Sequence, residues 1–406
     1  MRARSPGIGL RPALIPAAAI LLAAISSIHA QGRPAEVRAL WVLRATLSAP
    51  GSIATMVRAA KEGGFNTLLV QVATRGSSYP GAPVGRAAEP SFDPIREVID
   101  RAHEAGLRVH AWVDVTRVAS AVELPLSRDH LAYRHPEWLM VPRALAEDLL
   151  KIEPKSPEFL GRLARYARTQ PDADALYLSP ATPAAIEYAA DAVRDLAERY
   201  GVDGVHFDDA GYPRSDFDYS RDALGAFRRS FSESLSAADQ AKYDRRLALE
   251  PLIYPEAFPD YWEAFRTNRL TGLMAKLREA VKAARPDAVV SATVQPDPKQ
   301  AAASRFQDWQ SWVGRDLIDV VCPVSSKADP SVFAAEIASV RQMAGGHPTW
   351  AGIGASALSE TDIVASVQAA RRLGAGGVIL FSYDGLTGPS RGTEYLSQVG
   401  RAAFMQ

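Results

Sequence analysis

The chain has 406 residues, of which 47% are hydrophobic and 23% charged, enough apolar side chain for a large core. Its 46 basic and 46 acidic residues cancel to a formal charge of zero, with no basic stripe to suit nucleic acid and no charged block to suit a tail. The single cysteine, Cys322, excludes an intramolecular disulfide, so stability must come from burial.

The N-terminus carries Arg2, Arg4 and Arg11, then the apolar run "ALIPAAAILLAAISSI", then Ala30 before Gln31. A basic segment, a short apolar core and a small residue at the junction read as a signal peptide over 1–30. The run is short for a membrane span, so no stable membrane insertion is expected after cleavage. The expected location is secreted or periplasmic, and residues 31–406 are expected to form one domain. No cysteine stands at the junction to take a lipid.

Downstream, four stretches share one grammar: "AAKEGGFNTLLVQVAT", "RAHEAGLRVHAWVDVT", "LAERYGVDGVHFDDAG" and "AARRLGAGGVILFSYDG". Each closes an amphipathic helix with Gly and then runs into apolar, strand-forming residues. Apolar runs without strict alternation suit strands buried on both faces of a parallel sheet. Such runs lie near 37–44, 66–73, 108–115, 203–209, 288–294, 317–323, 348–353 and 376–383. Helical patterns follow them near 52–63, 94–105, 182–200, 262–284, 302–313, 331–343, 360–373 and 390–403. Strand–helix units in this succession predict an α/β fold, a (β/α)8 TIM barrel. The connections after the third and fourth strands, about 116–181 and 210–260, are long. They leave the strand ends where barrel enzymes place their chemistry. An open doubly wound sheet is less suited, because no Gly-rich phosphate loop follows the first strand.

The fourth run, "DGVHFDD", ends in two carboxylates. Alternation puts His206 and Asp208 on one face and Val205 and Phe207 on the other. Val and Phe suit the layer between sheet and helices, so His206 and Asp208 should point into the barrel, with Asp208 at its mouth. An inward carboxylate is costly to desolvate unless it is paired or used. The third run repeats the pattern with His110, Trp112 and Asp114, followed by Arg117. The second offers Gln71, with Arg75 and Tyr79 beyond it. Gln295 and Asp297 follow the fifth run, Ser325 and Ser326 the sixth, and Tyr383 and Asp384 the eighth. Asp319 sits early in its run and is expected to support the fold.

A mouth with carboxylates, amides and aromatic rings suits a carbohydrate, whose hydroxyls and apolar faces need both. Glycoside hydrolysis commonly uses two carboxyl groups. Asp208 is the first candidate. Asp114, Asp297, Asp384 and Glu263 are open as its partner, with Asp114 and Asp297 preferred. No cofactor is expected. A metal-dependent hydrolase using His110, Asp114, His206 and Asp208 is an alternative, although the chain has no H-x-H pair in a strand and no H-E-x-x-H.

At "VRALWV", "GFNTLLVQV", "AGLRVHAWVD", "HPEW", "YLSPATPAAIEY", "YGVDGVHFDDAGYP" and "NRL" the chain resembles the glycosyl-hydrolase-like 10 family, bacterial envelope or secreted barrels. That family includes enzymes acting on peptidoglycan glycan strands. The resemblance implies a glycosidase of a bacterial or environmental polysaccharide, with Asp208 as the catalytic carboxylate supported by His206 and Asp209. It implies that His110, Trp112, Gln71 and Arg117 line the site. Tyr212, in the same segment as Asp208, and Tyr383 are the further candidates for contacting sugar. The chain departs from the family pattern at Ala73, Asp114 and Thr116, and in "VQPD" and "CPVSSK" after the fifth and sixth strands. Those departures leave a second reading open, a barrel that binds glycan without cutting it.

Overall fold

The computed structural model describes residues 35–72, 93–325, 329–389 and 391–405. The expected signal peptide, Arg75, Tyr79 and Ser326 lie outside these residues. Val37–Gln406 forms one compact unit.

Ten strands are present among the described residues, and eight of them close into a parallel barrel. These are β1 (Val37–Val42), β2 (Thr67–Gln71), β3 (Arg108–Asp114), β6 (Gly204–Asp208), β7 (Val289–Val294), β8 (Val320–Ser325), β9 (Trp350–Ile353) and β10 (Gly377–Leu380). They neighbour one another in that order, and β10 pairs with β1 to complete the ring. Strands β4 (Arg117–Ser120) and β5 (Ala175–Tyr177) form a separate antiparallel pair inside the long β3–β6 connection. The (β/α)8 expectation therefore holds.

Helix starts follow the local chemistry. Asp93, Asp297 and Asp329 each precede a proline at the first helical turn, and each carboxylate accepts backbone N–H bonds there. The helix expected over 302–313 is instead two, Pro298–Arg305 and Trp309–Gly314. Phe306 adopts a left-handed conformation between them (φ 54°), and the Asp308 side chain caps the second. Periodicity alone gave no sign of that break.

Barrel strands send alternate side chains inward. Gly204 stands opposite His110 in register, and a Cβ on it would lie 2.5 Å from the His110 ring. The missing side chain makes room for His110, which also packs 5.4 Å from the Trp350 ring. One level towards the strand C-termini, Trp112 faces His206, which faces Ser291. At the mouth Asp114 faces Asp208. Near the opposite end of the barrel Asp319 binds Arg278 and Lys282 at 2.8 Å each and accepts the Val290 N–H.

The two long connections are fastened to each other and to the barrel. Asp218 is fully buried and accepts N–H bonds from Val141 and Ser220, joining the β3–β6 connection to the β6–β7 connection. Arg266, on the long helix Pro259–Ala284, is also buried. Its guanidinium donates to the carbonyls of Ser215 and Phe217 and lies 4.0 Å from the Phe306 ring centroid. It thus fixes the chain that descends from Asp208 and Asp209. Replacing it leaves buried carbonyls without donors. Arg266→Ala is expected to cost about 3 kcal/mol in a denaturant titration, and a loss below about 0.5 kcal/mol would show that the loop is held by other contacts.

Candidate active site

Asp114 and Asp208 end adjacent parallel strands, directly opposite in register and on the same inward face. Neighbouring strands lie about 4.8 Å apart, so backbone pairing alone brings the two carboxyl groups together. Asp114 is 7% exposed. Its carboxyl is pushed up to about 8, first by burial and then by the charges of Asp208 and Asp209, against the pull of Arg117. Asp208 is pushed up to about 6, again first by burial and then by Asp209.

Behind Asp208 runs a chain of hydrogen bonds. Ser291 Oγ lies 2.9 Å from His206 Nδ1, and Thr293 Oγ1 lies 3.0 Å from His206 Nε2. The Thr293 side chain in turn bonds to Asp208. His206 is fully buried and its pKa falls to about 3, chiefly through burial, so the ring is neutral at physiological pH. With Nε2–H donating to Thr293 and the threonine hydroxyl donating to Asp208, every group in the chain is satisfied. His206 therefore orients Thr293, which orients the carboxylate.

Asp209 turns away from the strand with a left-handed backbone (φ 45°). It is paired with Arg117 at 3.0 Å and Arg305 at 3.3 Å, and Arg117 also binds Asp174 at 3.2 Å. The Thr116 hydroxyl lies within bonding reach of the Asp209 and Gly211 carbonyls, at 2.9 and 2.8 Å. Gln307 is buried and donates to the Ala210 carbonyl while accepting the Gln295 N–H. These contacts fix the segment after β6 from both sides.

The mouth opens into a cleft of about 770 Å³. Its walls include Asp208, Asp209, Thr293, Gln295, Arg214 and Arg305. Beside the carboxyl pair lies an aromatic floor. Trp41 packs 6.1 Å from Trp112, 5.5 Å from His206 and 5.4 Å from Phe381. Phe381 is 37% exposed, unusual for so large an apolar side chain next to buried tryptophans.

The expected site residues thus fall into groups. Asp114, Asp208, Asp209 and Arg117 come together at the mouth, and Gln71 Nε2 reaches to 3.5 Å from Asp114 Oδ2. Trp112 lies in the floor, buried. His206 touches no solvent and works through Thr293. His110 is placed away from the mouth: it shares the inward face but lies four residues below Asp114, buried against Gly204 and Trp350, and burial lowers its pKa to about 4. Tyr212 is fully buried against Phe306, because the chain turns after Asp209 and carries the ring outwards from the mouth into the helix layer. Asp297 is exposed and spends its carboxylate on the Lys299 and Gln300 N–H groups, so it is a helix cap outside the Asp208 cleft. Tyr383 is buried, and Asp384 accepts from the Leu43 N–H and the Thr46 hydroxyl, pinning the chain after β1. Among the described residues no group of three or more His, Cys, Asp or Glu is disposed to hold a metal ion.

Trp41, Phe381, Thr293, Arg305 and Gln307 were not singled out from the sequence. Alternation along "VRALWV", "VSATV" and "GVILF" places the first three on inward faces, which is the signal that could have found them. Arg305 and Gln307 depend on the break at Phe306, which had no such signal.

Comparison with known proteins bears on this geometry. Residues 164–353 match the Glycosyl hydrolase-like 10 family model. The matched stretch carries His206, Asp208, Asp209, Thr293 and Arg305, so the resemblance drawn from the sequence is met where the candidate carboxylate stands. Among curated relatives, glycosyl hydrolase YngK of Bacillus subtilis (strain 168) is 24% identical over 234 residues, 55% of this chain and 35% of that protein. Glycosyl hydrolase DigH of Escherichia coli (strain K12) is 24% identical over 285 residues, 64% of this chain and 54% of that protein. The chain therefore matches about a third to a half of these relatives' length. Among solved structures, the PgaB (BpsB) glycoside hydrolase domain from Bordetella bronchiseptica superposes with a TM-score of 0.60 at 17% identity, covering 90% of this chain and 99% of that one. The catalytic domain of beta-amylase from Paenibacillus polymyxa gives 0.59 at 12%, covering 91% and 98%. At such identities the shared property is the barrel.

The raised Asp114 pKa has a consequence for stability. Its folded value, about 8, lies above the ordinary aspartate value of 3.8. Between those values the native chain keeps a proton that the unfolded chain releases, so stability falls as pH rises through this window. Asp114→Asn removes the ionisable group. Its melting temperature relative to wild type is expected to rise from pH 5 to pH 8, by an amount equivalent to about 3 kcal/mol. An equal difference at both pH values would rule out a suppressed carboxylate at this position.

Proposed function

We propose that the protein is a secreted glycoside hydrolase that cuts a bacterial or environmental polysaccharide, with peptidoglycan glycan strands as the first substrate to test. The observation that carries this reading is the in-register pair Asp114 and Asp208, raised to different pKa values beside an aromatic floor and an open polar cleft. The family match over 164–353 and the relatives named glycosyl hydrolases support it. The basic, apolar and small-residue pattern of 1–30 supports export to the periplasm or beyond.

The roles follow from the protonation states. Between about pH 6 and 8 the pair holds one proton, kept by Asp114 while Asp208 is ionised. Asp208, which lines the cleft, supplies the electron pair at the anomeric carbon, directly or by taking a proton from the attacking water. The Asp114 proton passes to the glycosidic oxygen as the bond from the anomeric carbon to that oxygen breaks. Thr293 and His206 hold Asp208 in place, and Arg117 with Arg305 keeps Asp209 folded back from the reacting carboxylate. The Phe381 ring offers a surface for the apolar face of the sugar, backed by Trp41 and Trp112.

The test is sugar release from denuded peptidoglycan and a panel of other polysaccharides by the mature chain beginning at Gln31. Wild type should release sugar, and Asp208→Asn should lower kcat by about 10²–10⁴-fold. Activity should rise as pH passes about 6 and fall as it passes about 8, and Asp114→Asn should abolish the alkaline limb. Tight glycan binding by both proteins with release by neither would replace the hydrolase by a glycan-binding barrel.

A further inference from the structure

A second cleft of about 710 Å³ continues the first. The two share Gln295, Pro296, Gln300 and Val324 as common walls, so they form one groove across the C-terminal ends of β6, β7 and β8. Asp208 lines the first half. The second half ends on the helix Pro330–Met343, at Ala335, Glu336, Ser339 and Met343. Nothing in the hydrolytic chemistry above uses that half.

Its lining is built like a sugar site and unlike a greasy one. Amide and hydroxyl groups of Gln300, Ser325 and Ser339 and the charged Asp297 and Lys299 line it together with the apolar surfaces of Pro296, Val324 and Met343. Pyranose rings present the same mixture, with hydroxyls at the rim and C–H groups on the faces. Glu336 adds a specific feature. Its Oε2 is shielded from solvent and has no hydrogen-bond partner among the described residues. A buried acceptor left unmade costs roughly 1–3 kcal/mol, and turning the carboxylate to meet a donor in the groove relieves that cost.

We propose that the second cleft is a distal subsite for the same glycan, so that the substrate is an extended chain running from Asp208 to Glu336. This rests on the glycoside hydrolase reading of the first cleft and assigns it a substrate of several sugars. The far sugar donates a hydroxyl to Glu336. Binding energy gained there is remote from the broken bond and holds the chain in register over the carboxyl pair.

The experiment uses sized fragments of denuded peptidoglycan glycan, from disaccharide to octasaccharide. Two variants alter the distal cleft alone. Ser339→Trp fills it from an exposed helix position, and Glu336→Gln keeps its shape but removes the charge. Circular dichroism and melting temperature establish that both fold. For wild type, kcat/KM should rise with fragment length. Ser339→Trp should lower the long-to-short ratio of kcat/KM about tenfold, through KM, and Glu336→Gln about threefold. Calorimetric binding of the same fragments to Asp208→Asn, with and without Ser339→Trp, reads the subsite without turnover. Length-dependent binding that Ser339→Trp removes supports the subsite even if wild type cuts nothing, in which case it is the hydrolase reading that fails. A ratio or a binding constant that ignores fragment length, or ignores Ser339→Trp, overturns the subsite.

Discussion

Two carboxyl groups held side by side by strand pairing set the character of this protein. Asp114 and Asp208 are register partners on adjacent parallel strands, so no side-chain packing is needed to bring them together. Closing the barrel removes water from their inner side, and the charge of Asp208 penalises ionisation of Asp114. The surrounding structure reads as compensation for that placement. Arg117 and Arg305 neutralise Asp209, the neighbour that would otherwise add a third charge. The neutral His206 feeds a hydrogen bond through Thr293 to Asp208. The buried Arg266 and Gln307 fix the loop that leaves Asp208.

A site of this kind lowers stability, and the fold carries the cost elsewhere. The barrel interior below the mouth is filled by His110, Trp112 and Trp350, for which Gly204 and Gly377 make room. The long connections after β3 and β6 are joined through Asp218, whose carboxyl is raised by burial and satisfied by backbone N–H groups and Ser220. Such connections are held firmly enough to form the wall of a cleft.

Much of this was legible in the sequence, for identifiable reasons. Period-two alternation put His206, Asp208, Trp112 and Asp114 on inward faces, and glycines after helix ends marked where the strands begin. Alternation gives a face but not a depth, which is why His110 was grouped with the mouth. Gly204, a strand glycine in register with it, was the clue to close packing there. Beyond the last strand residue alternation no longer applies. The left-handed Asp209 redirects the chain, so Tyr212 goes into the helix layer, and Asp297 becomes a cap once a proline-started helix follows it. The contacts of Arg305 and Gln307 with the β6 segment are non-local and follow from the turn at Phe306, which no local pattern encodes.

The most direct test of this account is a site-resolved titration of Asp114 and Asp208, by carboxyl carbon-13 NMR of the intact protein with Asp114→Asn and Asp208→Asn for assignment. The account predicts two coupled steps with apparent pKa values near 6 and 8, and a downward shift of the upper step, that of Asp114, when Asp208 is replaced by Asn. Two ordinary, independent titrations below about pH 5 would contradict it.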